Sequence, residues 1–141
     1  MLAEGVRTGR FRRENRLLDS RDFRRVMRQG SRRASRELVV FFAEKHVVNP
    51  EKPIENKKLE SRPGSRLGIT VSRKVGNAVC RNRFKRRVRV WFRERRGELS
   101  NALGVGDVDL IVIARKPAGQ LNLAELDERL GRLLGLGTKP R

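Results

Sequence analysis

The sequence predicts a small α+β domain in which helices pack on a sheet, and three observations carry that expectation. Segments 37–45 and 66–74 follow the two-residue period of strands, and 106–117 is a third strand-like run. Segments 78–95 and 122–136 instead repeat their apolar residues at the 3.6-residue spacing of a helix covering one side of a core. The order is helix, strands, helix, strand, helix over 141 residues, a length that suits one domain.

Residues 1–14 read as a basic flexible arm, 15–137 as the domain and 138–141 as a tail. The first helix begins within LLDSRDFRRVMRQG (17–30). Asp19 or Ser20 can cap it, Asp22 sits in its first turn and Gly30 ends it. Phe23, Val26 and Met27 share a face by their i, i+3, i+4 spacing, as core residues would. In 37–45 both alternating sets are apolar, Leu38, Val40 and Phe42 against Val39, Phe41 and Ala43. Such a strand is central, or covered on parts of both faces. Residues 46–65, with Pro50, Pro53 and Pro63 among many charges, read as a long surface loop.

In 66–74 the set Leu67, Ile69 and Val71 faces a core, and Gly68, Thr70 and Ser72 are small. Gly68 permits close approach of another backbone or of a ligand. Pro117 stops the 106–117 strand. The last helix opens on Asn122 with Glu125, a capping-box pattern, and lines up Leu123, Leu126, Leu130 and Leu134.

The helix at 78–95 has two faces. Gly76 allows a tight turn and Asn77 is a good N-cap. Cys80, Phe84, Val88, Trp91 and Phe92 form an apolar stripe, and Val79 is expected to help bolt the helix to the sheet. Trp91, being in the stripe, reads as core rather than as a stacking platform. Asn82, Lys85, Arg86, Arg89 and Arg93 fall on the opposite side. Like charges at helical spacing cost about 0.2–0.5 kcal/mol per pair. A polyanion offsets that cost through counterion release. The N-terminal end, with Asn77 and the preceding Arg73 and Lys74, is a second phosphate site.

Composition points the same way. Hydrophobic residues make up 37% and charged residues 36%, so the core is small and some surface is heavily charged. The net charge is +19, which favours a polyanionic partner, nucleic acid before membrane. The first 36 residues hold twelve Arg and no Lys, and 81–96 hold nine basic residues against Glu94 alone. These two segments read as ligand surfaces, and the nearly neutral 107–141 as structural. No apolar run approaches the roughly 18 residues of a membrane span. The lone Cys80 forms no internal disulfide and is expected to be a buried, inert thiol.

The stretch RLGITVSRKVGNAVCRNRFKRRVRVWFR closely resembles the signature of the protein subunit of bacterial ribonuclease P. Lys74, Gly76, Asn77, Ala78 and Val79 run into Arg81-Asn82-Arg83 and then Lys85-Arg86. NRLLDSRDFRRVMRQG, LVVFF and DLIVIARKPA extend the likeness over most of the chain. The resemblance implies a single-domain α/β sandwich, helix–three strands–helix–strand–helix, with a short extra strand near 31–36. It also implies a left-handed βαβ crossover, similar to the second domain of ribosomal protein S5.

In function, the resemblance implies an RNA-binding subunit that binds the catalytic RNA and the 5′ leader of precursor tRNA, assisting endonucleolytic removal of that leader. Arg73, Lys74, Asn77, Arg81, Asn82, Arg83, Lys85, Arg86 and Arg89 would contact RNA. Phe23, Met27 and Phe41, with Lys85 at the edge, would line the leader cleft between the first helix and the sheet. Met27 cannot stack as an aromatic would. Mg²⁺ would be bound mainly by the RNA, and the family's protein metal region has no assignable residues here. The partners would be the catalytic RNA and precursor tRNA, with no membrane and no obligate protein partner, in the cytoplasm.

Two rivals remain at this stage. A ribosomal-protein-like or general RNA-binding module fits the composition equally well. A self-contained metal nuclease wants clustered carboxylates. Asp107 and Asp109 are a tight acidic pair at a strand start, where they can simply terminate it, and His46 is the sole histidine.

Overall fold

The computed structural model describes residues 15–17, 19–45 and 64–136. The arm at 1–14, nearly all of the 46–65 loop, His46 and the 138–141 tail lie outside the described residues. The elements are α1 (Ser20–Gln29), β1 (Ser31–Ala34), β2 (Leu38–Glu44), β3 (Arg66–Thr70), α2 (Ala78–Leu103), β4 (Val108–Ala114), a short 3-10 helix (Lys116–Gln120) and α3 (Leu123–Leu134). The four strands form one sheet in the order β1-β2-β4-β3. β2 is antiparallel to both β1 and β4, while β3 lies parallel to β4 with α2 as the crossover.

Each face of the sheet carries one of the alternating sets. On one face Leu38, Val40, Phe42, Leu67, Leu110, Val112 and Ala114 join Phe84, Val88, Trp91 and Phe92 of α2 and Leu126, Leu130 and Leu134 of α3 in the main core. On the other face Leu17, Val26 and Ile111 form a smaller cluster, with Phe23, Phe41, Ala43 and Ile113 packed on it. The doubly apolar β2 is therefore central, between β1 and β4, with helices over both faces. α1 covers one side, and α2 and α3 the other.

Local chemistry sets the helix ends. Asp19, not Ser20, caps α1 by accepting from the Arg21 N–H at 2.8 Å. Asn77 caps α2 through the Cys80 N–H at 2.9 Å. The Asn122–Glu125 capping box closes in both directions, at 2.8 and 3.1 Å. Gly30 ends α1 for a reason other than left-handed geometry, since its φ is −80°. A Cβ there would lie 2.4 Å from the Val26 carbonyl oxygen and 2.5 Å from that of Phe42, so the position demands space.

Several boundaries move. α2 runs on to Leu103, well past residue 95, because Leu99 continues the buried stripe; it stops at Gly104, where φ is +70°. β3 ends at Thr70, and β4 spans Val108–Ala114 inside the expected 106–117. Val79 does not anchor the helix: it is 72% exposed. Cys80 is half-buried rather than buried, its Sγ 3.9 Å from the Gly119 carbonyl.

Candidate nucleic-acid interface

The structure divides the cations into an interior set and an outward set. Arg66 grips the buried carboxylate of Asp109 in a two-pronged contact, Nε to Oδ1 and Nη2 to Oδ2, both at 2.8 Å. Arg25 of α1 reaches the same carboxylate and donates to the Glu44 carbonyl at 3.2 Å. Asp22 completes the cluster, 3.3 Å from Arg66 and 3.8 Å from Arg25. Two cations meet two anions, so the cluster is neutral, and it ties α1 to β3 and β4.

Asp109 therefore does not terminate β4. It lies within the strand, opposite Ala43 and Arg66, with 0% exposure. Asp107 accepts from the Gly64 N–H at 2.8 Å and closes the base of the 46–65 segment, where Lys45 Nζ donates to the Gly64 carbonyl at 3.2 Å. A carboxylate whose two oxygens already hold two guanidinium groups does not fit a nuclease metal site.

A second interior pair lies between α2 and α3. Arg95 and Asp127, each with a side chain 1% exposed, approach to 3.1 Å, and Arg95 also meets Glu98 at 2.8 Å. Arg87 donates to the Leu121 carbonyl at 2.6 Å. Two of the nine basic residues in 81–96 thus serve the fold. Arg95 could have been found, since it stands four residues after Trp91 and four before Leu99, inside the apolar stripe.

The outward set is what remains of α2 and its approach. Asn82, Arg83 and Arg86 are exposed; Arg81, Lys85, Arg89 and Arg93 are half-buried. Arg73 and Lys74 are exposed in the turn before Asn77, at the N-terminal end of α2. The side chains of Arg73, Lys74, Arg83, Lys85 and Arg86 meet no carboxylate among the described residues.

Two concavities flank this face. The first, of about 170 Å³, wraps the edge of β3 and is lined by Arg16, Leu17, Phe23, Leu67, Gly68, Ile69, Lys85 and Arg89. It brings Phe23 and Lys85 together. Met27 and Phe41 are not in its lining: Met27 is 44% exposed along α1, and Phe41 packs on the small cluster. Arg16, which the sequence reading passed over, arrives because 15–17 runs along β3, with the Leu17 N–H donating to the Leu67 carbonyl at 2.9 Å. Burial, and then the charge of Arg16, pull the Arg89 guanidinium below its usual range. No carboxylate lines this cavity. The second concavity, of about 510 Å³, gathers Arg36, Arg83 and Lys116 beside Val75, Cys80, Pro117, Gly119 and Gln120. Arg36 and Lys116 were also missed, because they lie 47 and 33 residues from Arg83.

Known proteins resemble this chain in sequence and fold. Residues 11–136 match the family model described as Ribonuclease P. The ribonuclease P protein component of Shouchella clausii is 37% identical over 124 residues, covering 88% of this chain and 86% of that protein. That of Streptococcus pneumoniae is 36% identical, covering 86% and 82%. Among solved structures, the RNase P protein of Staphylococcus aureus matches with a TM-score of 0.60 and 31% identity, over 86% of this chain and 93% of that one. The Thermotoga maritima protein matches at 0.61 and 31%, over 84% and 94%. With the family model spanning nearly the whole chain and solved relatives sharing the sheet and helices, the chain belongs to the ribonuclease P protein family.

Proposed function

We propose that this chain is the RNA-binding protein subunit of ribonuclease P, which grips the catalytic RNA with the outer face of α2 and the 5′ leader of precursor tRNA in the cavity beside Phe23. The observation that carries the reading is a helix with one face in the core and the other offering Arg83, Lys85 and Arg86, which no carboxylate of the described residues neutralises. Arg73, Lys74, Asn77, Arg81, Asn82, Arg83 and Arg86 supply phosphate contacts, to which the second concavity adds Arg36 and Lys116. Phe23 stacks on an unpaired leader base, for about 1–3 kcal/mol, while Arg16, Lys85 and Arg89 take the flanking phosphates. Met27 and Phe41 extend that surface along α1 and the sheet.

Phosphodiester hydrolysis belongs, on this reading, to the RNA subunit and its Mg²⁺ ions. The protein's strand carboxylates support that division, since Asp107 and Asp109 are engaged in holding the fold. Family resemblance supports a left-handed β3–α2–β4 crossover like that of the second domain of ribosomal protein S5, and a cytoplasmic location. No described helix is long and apolar enough to cross a membrane.

The test is incubation of precursor tRNA and Mg²⁺ with the protein, with and without the catalytic RNA, at modest salt. The expected result is no cleavage by the protein alone and a higher rate or precursor affinity when it joins the RNA. Cleavage that ignores the RNA would indicate a self-contained nuclease. An unchanged RNA-alone reaction would indicate a general RNA-binding module.

A further inference from the structure

Phe23 and Gly68 meet in a way that decides what the aromatic ring can offer. A Cβ built on Gly68 would lie 2.4 Å from Phe23 Cζ and 3.0 and 3.1 Å from its two Cε atoms. The Cε distances exceed the Cζ distance by less than an approach along the ring's own axis would give, so the added Cβ would sit over the face of the ring's tip. The tip of the Phe23 ring therefore lies against the residue-68 backbone through one face. The need for glycine is spatial, since Gly68 is not among the glycines with positive φ. The base of the ring is held just as firmly. α1 is tied to β3 and β4 by Arg25 on Asp109 and by Arg66 on both Asp109 and Asp22.

We infer that Gly68 is the positioning residue for the stacking ring: its missing side chain is the socket that admits the tip of Phe23 and keeps the ring in the cavity it shares with Lys85. The ligand class is an unpaired RNA base with its flanking phosphates, and the inference rests on the reading of that cavity proposed above. A methyl added at residue 68 fills that space and moves the ring off its seat.

The experiment measures affinities of the protein–catalytic RNA complex for a precursor tRNA and for the same tRNA without its leader, at fixed Mg²⁺ and salt. Their ratio is the leader preference. Phe23→Ala is expected to lower it by about 10-fold. Gly68→Ala is expected to lower it nearly as far, with leaderless binding unmoved. Thermal midpoints complete the cycle: Gly68→Ala lowers the midpoint with phenylalanine at 23, and Phe23→Leu, which stops short of the socket, removes most of that loss. Loss of preference in Phe23→Ala alone, with Gly68→Ala at the wild-type ratio, overturns the inference and leaves the proposed function standing. Equal midpoint losses in both backgrounds overturn it too, and this holds even if Gly68→Ala folds too poorly to assemble. A wild-type ratio in Phe23→Ala overturns the leader-stacking role itself, and the inference falls with it.

Discussion

Arginine works in opposite ways in two regions of this molecule. At the junction of α1, β3 and β4, and again between α2 and α3, guanidinium groups sit inside the protein against Asp109 and Asp127. On the outer face of α2 the same residue type stands outward, with no carboxylate among the described residues to meet Arg83 or Arg86. Inside, each charge is bought out of water by a partner in fixed geometry, and losing the partner strands it. Outside, charge is left for a polyanion. Net charge alone cannot separate the two uses, because an arginine counts the same in both.

The sharpest way to break this comparison is to remove Asp109. Asp109→Ala takes from Arg66 and Arg25 the buried carboxylate they share, and is expected to cost about 3–5 kcal/mol in urea unfolding. A loss below about 1 kcal/mol, the range of exposed pairs, would put the cluster with surface ion pairs. Asp127→Leu comes next, at about 3 kcal/mol, because Arg95 loses its buried carboxylate partner while Glu98 is half-exposed. Arg95→Met added to it should recover most of that loss, since an apolar pair of similar volume replaces a buried ion pair at little cost. A double variant no more stable than the single would show that the charges themselves hold α2 to α3.

The outward set should answer in the opposite sense. Arg83→Ala with Arg86→Ala is expected to change folding stability by less than about 0.5 kcal/mol. The same change should flatten the salt dependence of catalytic-RNA binding by about one unit of log–log slope per lost phosphate contact. An unchanged slope would make these arginines merely solvated.

The smallest effect concerns Glu37, which joins the β1–β2 turn to α3 through Arg129 at 3.2 Å. Burial pushes the Glu37 carboxyl up, but the hydrogen bond and charge of Arg129 outweigh it and hold the group below its ordinary 4.5. A depressed carboxyl pKa contributes stability that is full above the unfolded value and lost as pH falls through the folded one. Glu37→Gln should therefore cost about 0.5 kcal/mol near neutral pH and flatten the decline of the thermal midpoint below about pH 4.5. A parallel decline in both proteins would remove Glu37 from the acid response.

Much of the frame was legible because its signals are local. Strand alternation, the α2 stripe and the caps at Asn77 and Asn122 each involve residues within a turn or two of one another. The departures are long-range. Arg66 and Asp109 are 43 residues apart, Arg25 and Asp109 84, and Arg95 and Asp127 32. Nothing near an arginine in sequence announces a carboxylate that distant. The cavity shows the same division: Phe23 and Lys85 were placed together through family resemblance, whereas Arg16 enters only because residues 15–17 run along the edge of β3.

The sequence by itself determined the periods, the caps and an outward cationic helix face, because backbone geometry maps near neighbours onto faces without further information. Only the tertiary structure decided which cations are interior, that Gly68 faces a ring and that Arg16 joins Phe23 and Lys85 in one cavity. Those outcomes depend on which distant segments the sheet order β1-β2-β4-β3 brings within a few ångströms, and no local period encodes that order.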